Sequence, residues 1–235
     1  MTQDRILGTA ASSPGAAVVS QAPCPRHPAP SGVDDGVDRP VETPAGESRP
    51  LTSGEIAMAR SLFGDSICCS RVRVHNRGYL WFGLQNDATA MTPNGHMYFD
   101  PKCFKEDFST CGFGDSLWFM HEMVHVWQHQ LGYPVKWRGA LRIGLSYRYM
   151  LRAGNRLSDY NMEAQGNLLS DYWALKHFET PPMLWERKHG DDLALYETVL
   201  ETFTTRPADK VNLPALRAMH AIRRASSALR RRRAR

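Results

Sequence analysis

The sequence predicts an α+β fold in which a small β-sheet and hairpin region packs on one central helix and further helices. Two observations predict it. Residues 67 to 100 alternate apolar and polar positions around an Asn94-Gly95 turn signal, and two later segments repeat apolar residues at spacings of three and four. A third observation sets the limits. Residues 1–50 are rich in Pro, Gly, Ala and Ser and contain no aromatic residue, the composition of a disordered leader. The domain is therefore expected over residues 51–205, with a basic helix and tail over 206–235.

Taken in order, the first ordered element starts at Leu51-Thr52-Ser53-Gly54-Glu55, where Thr52 or Ser53 can cap a helix running through Ile56, Ala59 and Leu62 to Phe63. Gly64 is its stop. Val72 and Val74 alternate with Arg71, Arg73 and His75, and Tyr79-Leu80-Trp81-Phe82 continues the β pattern. Residues 89–91 and 96–99 flank Thr92-Pro93-Asn94-Gly95 as the arms of a hairpin. His75 and His96 read as strand or turn residues, not ligands.

The helix from Ser116 to Leu131 carries the chemistry. Leu117, Met120, Val124, Trp127 and Leu131 form one apolar stripe, Asp115 or Ser116 is the expected cap, and Gly132 is the expected stop. Beside the stripe stands His121-Glu122-Met123-Val124-His125. At about 100° and 1.5 Å per residue, the two histidines lie roughly 40° and 6 Å apart on one face. Two imidazoles so placed can take two corners of one zinc tetrahedron. Glu122 points roughly 100° away from His121, which suits a general base for an activated water better than a ligand.

A catalytic zinc needs a third protein ligand and an open position. His129 stands about 12 Å from His121 along the axis, too far to share its metal. A downstream carboxylate remains. Glu163, 38 residues after His125 near the start of a second helix, is the first choice. Asp159 and Asp171 are the rivals, the former reading better as a helix cap and the latter as a solvated residue or one that orients a ligand histidine. That second helix opens at Ser158 or Asp159 and buries Leu168, Leu169, Tyr172, Trp173 and Leu175, before Pro181-Pro182 ends the region. The polar-aromatic stretch from 132 to 157 is expected to cover one side of the cleft. Residues 183 to 204 read as one more helix, and Leu213 to Leu229 as a basic terminal one.

His121-Glu122-x-x-His125 with a glutamate on a later helix resembles the gluzincin branch of the zincin metallopeptidases. The resemblance implies a zincin-like fold, one bound Zn²⁺, Glu122 as catalytic base, and His121, His125 and Glu163 as ligands. Two departures accompany it: Asn161-Met162-Glu163-Ala164 replaces an adjacent Asn-Glu pair, and Asn167 stands where an aspartate often does. More narrowly, Arg73-Val74-His75-Asn76, Met91 to Gly95, His121 to Gln128 and Tyr160 to Glu163 are similar to small metallopeptidase domains linked to Rhs and VgrG proteins of bacterial type VI secretion. That similarity implies a secreted effector or toxin with a secretion-apparatus partner.

Charge and cysteine usage narrow the partners. The formal net charge is +5, yet residues 206–235 hold ten Lys/Arg against one Asp, while residues 51–205 hold fifteen Lys/Arg against seventeen Asp/Glu. The basicity therefore belongs to the tail, where no aromatic residues interleave, so nucleic acid is not expected as a partner. A protein or peptide substrate is, and a peptidoglycan peptide fits equally. Five cysteines without a C-x-x-C pair argue against a disulfide framework, with Cys103–Cys111 the one small loop to consider. No run approaches 18 apolar residues, and no signal peptide is recognised, so synthesis in the cytoplasm and export by another route are expected. A non-catalytic zinc-binding or interaction protein with a degenerate site is the alternative function.

Overall fold

The computed structural model describes residues 42–79, 90–137 and 145–215. Its elements run β1 (Ser48–Pro50), α1 (Ser53–Phe63), β2 (Arg73–Asn76), β3 (Ala90–Met91), β4 (Met97–Phe99), α2 (Phe113–Gln130), α3 (Met162–His177) and α4 (Leu193–Thr205), with short 3₁₀ turns between them. The fold is α+β: a four-stranded sheet and a set of helices share one core.

Order begins earlier than the composition suggested. β1 pairs antiparallel with β2, placing Arg49 opposite Val74. The Arg49 guanidinium makes paired bonds of 2.7 and 2.8 Å to the buried Glu55 carboxylate, and a third of 2.7 Å to the Lys105 carbonyl. Glu55 in turn accepts from the backbone N–H of Thr52 at 3.0 Å and of Phe108 at 2.9 Å. A three-residue strand ending in proline has no apolar alternation to announce it. Charge pairing and backbone hydrogen bonds hold it instead. Thr52 and Glu55 close the expected capping box of α1, and Gly64 ends that helix at φ 54°.

The sheet order is β1-β2-β4-β3, with β2 and β4 parallel and β3 and β4 antiparallel. Ala90 faces Phe99 and Met91 faces Tyr98, so the expected hairpin forms, and its tip uses Gly95 at φ 80°. β4 is thereby an interior strand bonded on both sides. The outer strands of the sheet are β1 and β3, so Met97–Phe99 offers no edge to an extended chain. Leu80 to Phe82 lie outside the described residues.

α2 begins at Phe113 with Gly112 at its N-cap, three residues before the expected start. Asp115 falls inside the first turn and Ser116 bonds the Phe108 carbonyl at 3.0 Å. It ends at Gln130, with Leu131 as its cap before Gly132, whose φ is 92°. α3 starts later than Ser158 or Asp159 would set it, because Asn161 is the cap: its Oδ1 accepts from the N–H groups of Glu163 and Ala164. Residues 157–159 form a separate 3₁₀ turn. α2 and α3 pack along one another, and Phe63, Trp127 and Phe203 close the core between α1, α2 and α4.

The C-terminal boundary also moves. Trp127 Nε1 donates to the Pro207 carbonyl at 2.8 Å, and Gln165 Nε2 to the Asn212 carbonyl at 3.0 Å. The chain thus packs on the domain to at least residue 215, and the expected helix beyond lies outside the described residues. Residues 183 to 204 hold a 3₁₀ turn at Arg187–His189 and then α4, not one helix. Cys111 keeps a free thiol that donates to the Asp107 carbonyl at 3.1 Å, so no Cys103–Cys111 bridge forms. Among the described residues no helix is long and apolar enough to cross a membrane.

Candidate metal centre

α2 and α3 present one facing turn each, and three donor atoms meet between them. His125 Nε2 lies 3.2 Å from His121 Nε2 and 3.2 Å from Glu163 Oε2, and His121 Nε2 lies 3.4 Å from the same oxygen. All three residues are buried, and among the described residues they form the one His/Cys/Asp/Glu group able to hold a metal ion. Tetrahedral zinc, bonded at about 2.0–2.2 Å to nitrogen and oxygen, separates neighbouring donors by about 3.3–3.5 Å. The observed edges match that spacing. No rearrangement is needed for an ion to take the three corners.

The outer nitrogens are already committed. His121 Nδ1 is 2.8 Å from Asn167 Oδ1, and His125 Nδ1 is 2.9 Å from Gln128 Oε1. The amide orientations follow from their other contacts: Asn167 Nδ2 donates to the Tyr147 carbonyl at 2.8 Å, and Gln128 Nε2 to the Met162 carbonyl at 3.2 Å and to Gln165 Oε1 at 2.9 Å. The oxygens therefore face the rings, each Nδ1 donates to an amide oxygen, and each Nε2 is turned to the shared point.

Gly166 completes the setting. A Cβ at this position would stand 2.5 Å from His121 Cε1, 2.7 Å from Nδ1 and 2.8 Å from Nε2. The imidazole thus lies flat on the bare backbone of α3. Without a metal ion the negative carboxylate does the same holding work. Burial opposes charge on His125, but the adjacent Glu163 outweighs it and raises the imidazole to about 9. Burial opposes ionisation of Glu163, yet the two histidines hold its carboxyl well below the usual range.

Glu122 is buried on the same turn but outside the donor group, and Thr92 Oγ1 donates to its Oε2 at 2.6 Å. The hairpin loop thus fixes the carboxylate beside the histidines. The rivals for the third position stand elsewhere. Asp159 Oδ2 accepts from the Arg156 N–H at 3.0 Å. Asp171 is neither solvated nor on a ligand histidine: its carboxylate accepts from Tyr149 Oη at 2.5 Å and from the N–H groups of Trp185 and Glu186 at 2.8 and 3.0 Å. Burial, against those three donors, pushes it up to about 6. Tyr149 also bonds Tyr196, so its hydroxyl is spent in the core. His129 packs its ring against Gly95 at the hairpin tip, while His75 stacks on Tyr98 in the sheet.

Gln128, Gly166 and Thr92 take parts in the site that the spacing argument did not assign. Gln128 sits three residues after His125, a neighbouring position on one helix face, and Gly166 is a lone glycine within a buried helix. Both are visible as signals once the two helices are known to touch.

No protein-family model matches the chain. Over 137 residues, 55% of its length, it is 40% identical to the type VI secretion system spike protein VgrG2b of Pseudomonas aeruginosa. The solved effector domain of P. aeruginosa VgrG2b superposes with a TM-score of 0.52 at 32% identity, covering 70% of this chain and 85% of that domain. The chain belongs to the VgrG2b effector-domain family. It spans 13% of the full spike protein, so the family relation is to the effector domain and not to the spike body. The VgrG2b effector-domain relationship matches the narrower similarity to VgrG-linked domains read from the sequence.

Proposed function

We propose that the protein is a zinc-dependent metallopeptidase that acts as an effector delivered by a type VI secretion apparatus. One observation carries the hydrolytic reading: two Nε2 atoms and one carboxylate oxygen converge at 3.2–3.4 Å, with a hydrogen-bonded glutamate on the same helix turn outside the donor group. The family relation to the VgrG2b effector domain supports the delivery reading, with a VgrG-type spike as the apparatus partner.

His121, His125 and Glu163 would hold the ion. Zinc, when bound, supplies Lewis-acid activation of a water molecule and of the scissile carbonyl. Asn167 and Gln128 hold both imidazoles by their Nδ1 atoms and aim each Nε2 at the shared point, and Glu163 contributes one balancing negative charge. Thr92 pins one oxygen of Glu122, which leaves the carboxylate to take a proton from the attacking water and return it to the leaving amine. Peptide-bond hydrolysis needs that two-way transfer, and a buried carboxylate held from behind can perform it.

The test is cleavage of a mixed peptide library, followed by mass spectrometry, with wild type and Glu122→Ala. Turnover by the variant is expected to fall by about 10²–10⁴-fold with zinc content unchanged. Full activity in Glu122→Ala would remove the mechanism.

A further inference from the structure

Two exposed aromatic rings stand next to the metal centre and have no part in holding it. The Tyr147 ring lies 6.2 Å from the His121 ring and nearly parallel to it, and the Trp185 ring lies 6.0 Å away at 63°. Tyr147 is 59% exposed and Trp185 39% exposed, which is unusual for aromatic side chains so close to three buried donors. Both residues are tied to α3. The Trp185 N–H donates to Asp171 Oδ1 at 2.8 Å and its indole Nε1–H to Ser170 Oγ at 3.1 Å. The Tyr147 carbonyl accepts from Asn167, the same side chain that orients His121.

These bonds fix what Trp185 presents. Both of its donors are used on α3, so the surface left to solvent is the apolar ring. Asp171, which the hydrolytic step does not use, gains a purpose: it anchors the turn that carries Trp185, together with Tyr149. The buried Asp171 carboxylate holds the backbone at Trp185 and Ser170 holds its indole, which fixes an apolar wall at the edge of the metal centre.

Building on the peptidase reading above, we infer that Tyr147 and Trp185 form a specificity subsite for a large apolar or aromatic side chain beside the scissile bond. Ring pairs at centroid separations of about 4.5–7 Å in offset or edge-on arrangements gain affinity beyond the area they cover.

The experiment measures binding apart from turnover. Zinc-loaded Glu122→Gln is titrated calorimetrically with two short peptides that differ only in one central residue, phenylalanine or alanine. The phenylalanine peptide is expected to bind about tenfold tighter. Trp185→Ala and Tyr147→Ala should each reduce that ratio severalfold without changing affinity for the alanine peptide, and Trp185→Phe should restore most of it. Zinc content and circular dichroism confirm that each variant is folded. Equal affinity for the two peptides, no detectable binding of either, or a ratio untouched by both alanine variants overturns the subsite. Wild-type protein given the same peptides separates the two claims. A binding preference without cleavage keeps the subsite and removes the hydrolase, whereas cleavage without preference does the reverse.

Discussion

Gly166→Ala sets two effects of one methyl group against each other. In an ordinary helix interior, alanine is favoured over glycine by about 0.8–1.0 kcal/mol. Here the new Cβ would stand 2.5 Å from His121 Cε1, within 2.8 Å of two more ring atoms. Reaching ordinary contact requires the ring to retreat by about 1 Å, since carbon atoms meet near 3.5–4.0 Å. The backbone of α3 is locked into the core, so the imidazole is what moves. That displacement breaks the 2.8 Å bond to Asn167 and opens the 3.2 and 3.4 Å edges of the donor triangle, where a metal site tolerates about 0.2 Å. The metal-free fold should therefore keep its melting temperature within a few degrees, while zinc affinity falls at least 10–100-fold. The assay is a competition titration with a chromophoric chelator, paired with thermal denaturation of the metal-free protein. Wild-type zinc affinity in a folded Gly166→Ala protein refutes the argument that the bare backbone seats His121.

Two other perturbations probe the charge pairs. Glu55→Ala leaves the buried Arg49 guanidinium without its bidentate partner, which should cost about 3–5 kcal/mol and lower the melting temperature by roughly 10 °C; a shift under about 2 °C would show that the pair does not hold β1 in place. The metal-free protein should also show a pH signature. Burial works against charge on His125, but Glu163 outweighs it and raises the imidazole from 6.5 to about 9. A raised folded value gives stability that is complete below 6.5 and is lost as pH rises through about 9. Denaturant titrations of the metal-free protein should therefore show a decline across that window, and His125→Gln should flatten it. A wild-type profile with no His125-dependent slope there contradicts the ion pair.

The sequence makes the motif helix legible because its demands are local. A periodic apolar stripe, a histidine pair four residues apart and a glycine stop all lie within one short stretch, and α2 follows them apart from its first turn. Glu163 is legible by a weaker route, as a carboxylate among uncharged residues near a helix start. Its cap was misplaced because Ser158, Asp159 and Asn161 are all capable oxygens, and only the 3₁₀ turn at 157–159 decides between them. Sheet order is a different matter. The Asn94-Gly95 turn predicts that β3 and β4 pair, but nothing local says that β2 adds to the far side of β4 in parallel and makes it interior. Gly166 and Gln128 were opaque for the same reason. Each looks like an ordinary helix residue until a second helix is laid against it. Asp171 offers the clearest case: its position one turn after Asn167 suggests a site residue, while its donors are Tyr149 and the backbone of Trp185 and Glu186.

The most direct measurement is zinc per protein, by elemental mass spectrometry, for wild type and Glu163→Ala after reconstitution and desalting. The account predicts about one zinc in wild type and a large loss in the variant, because one of three buried donors is removed. No zinc in the wild-type protein, or full occupancy in Glu163→Ala, would contradict it.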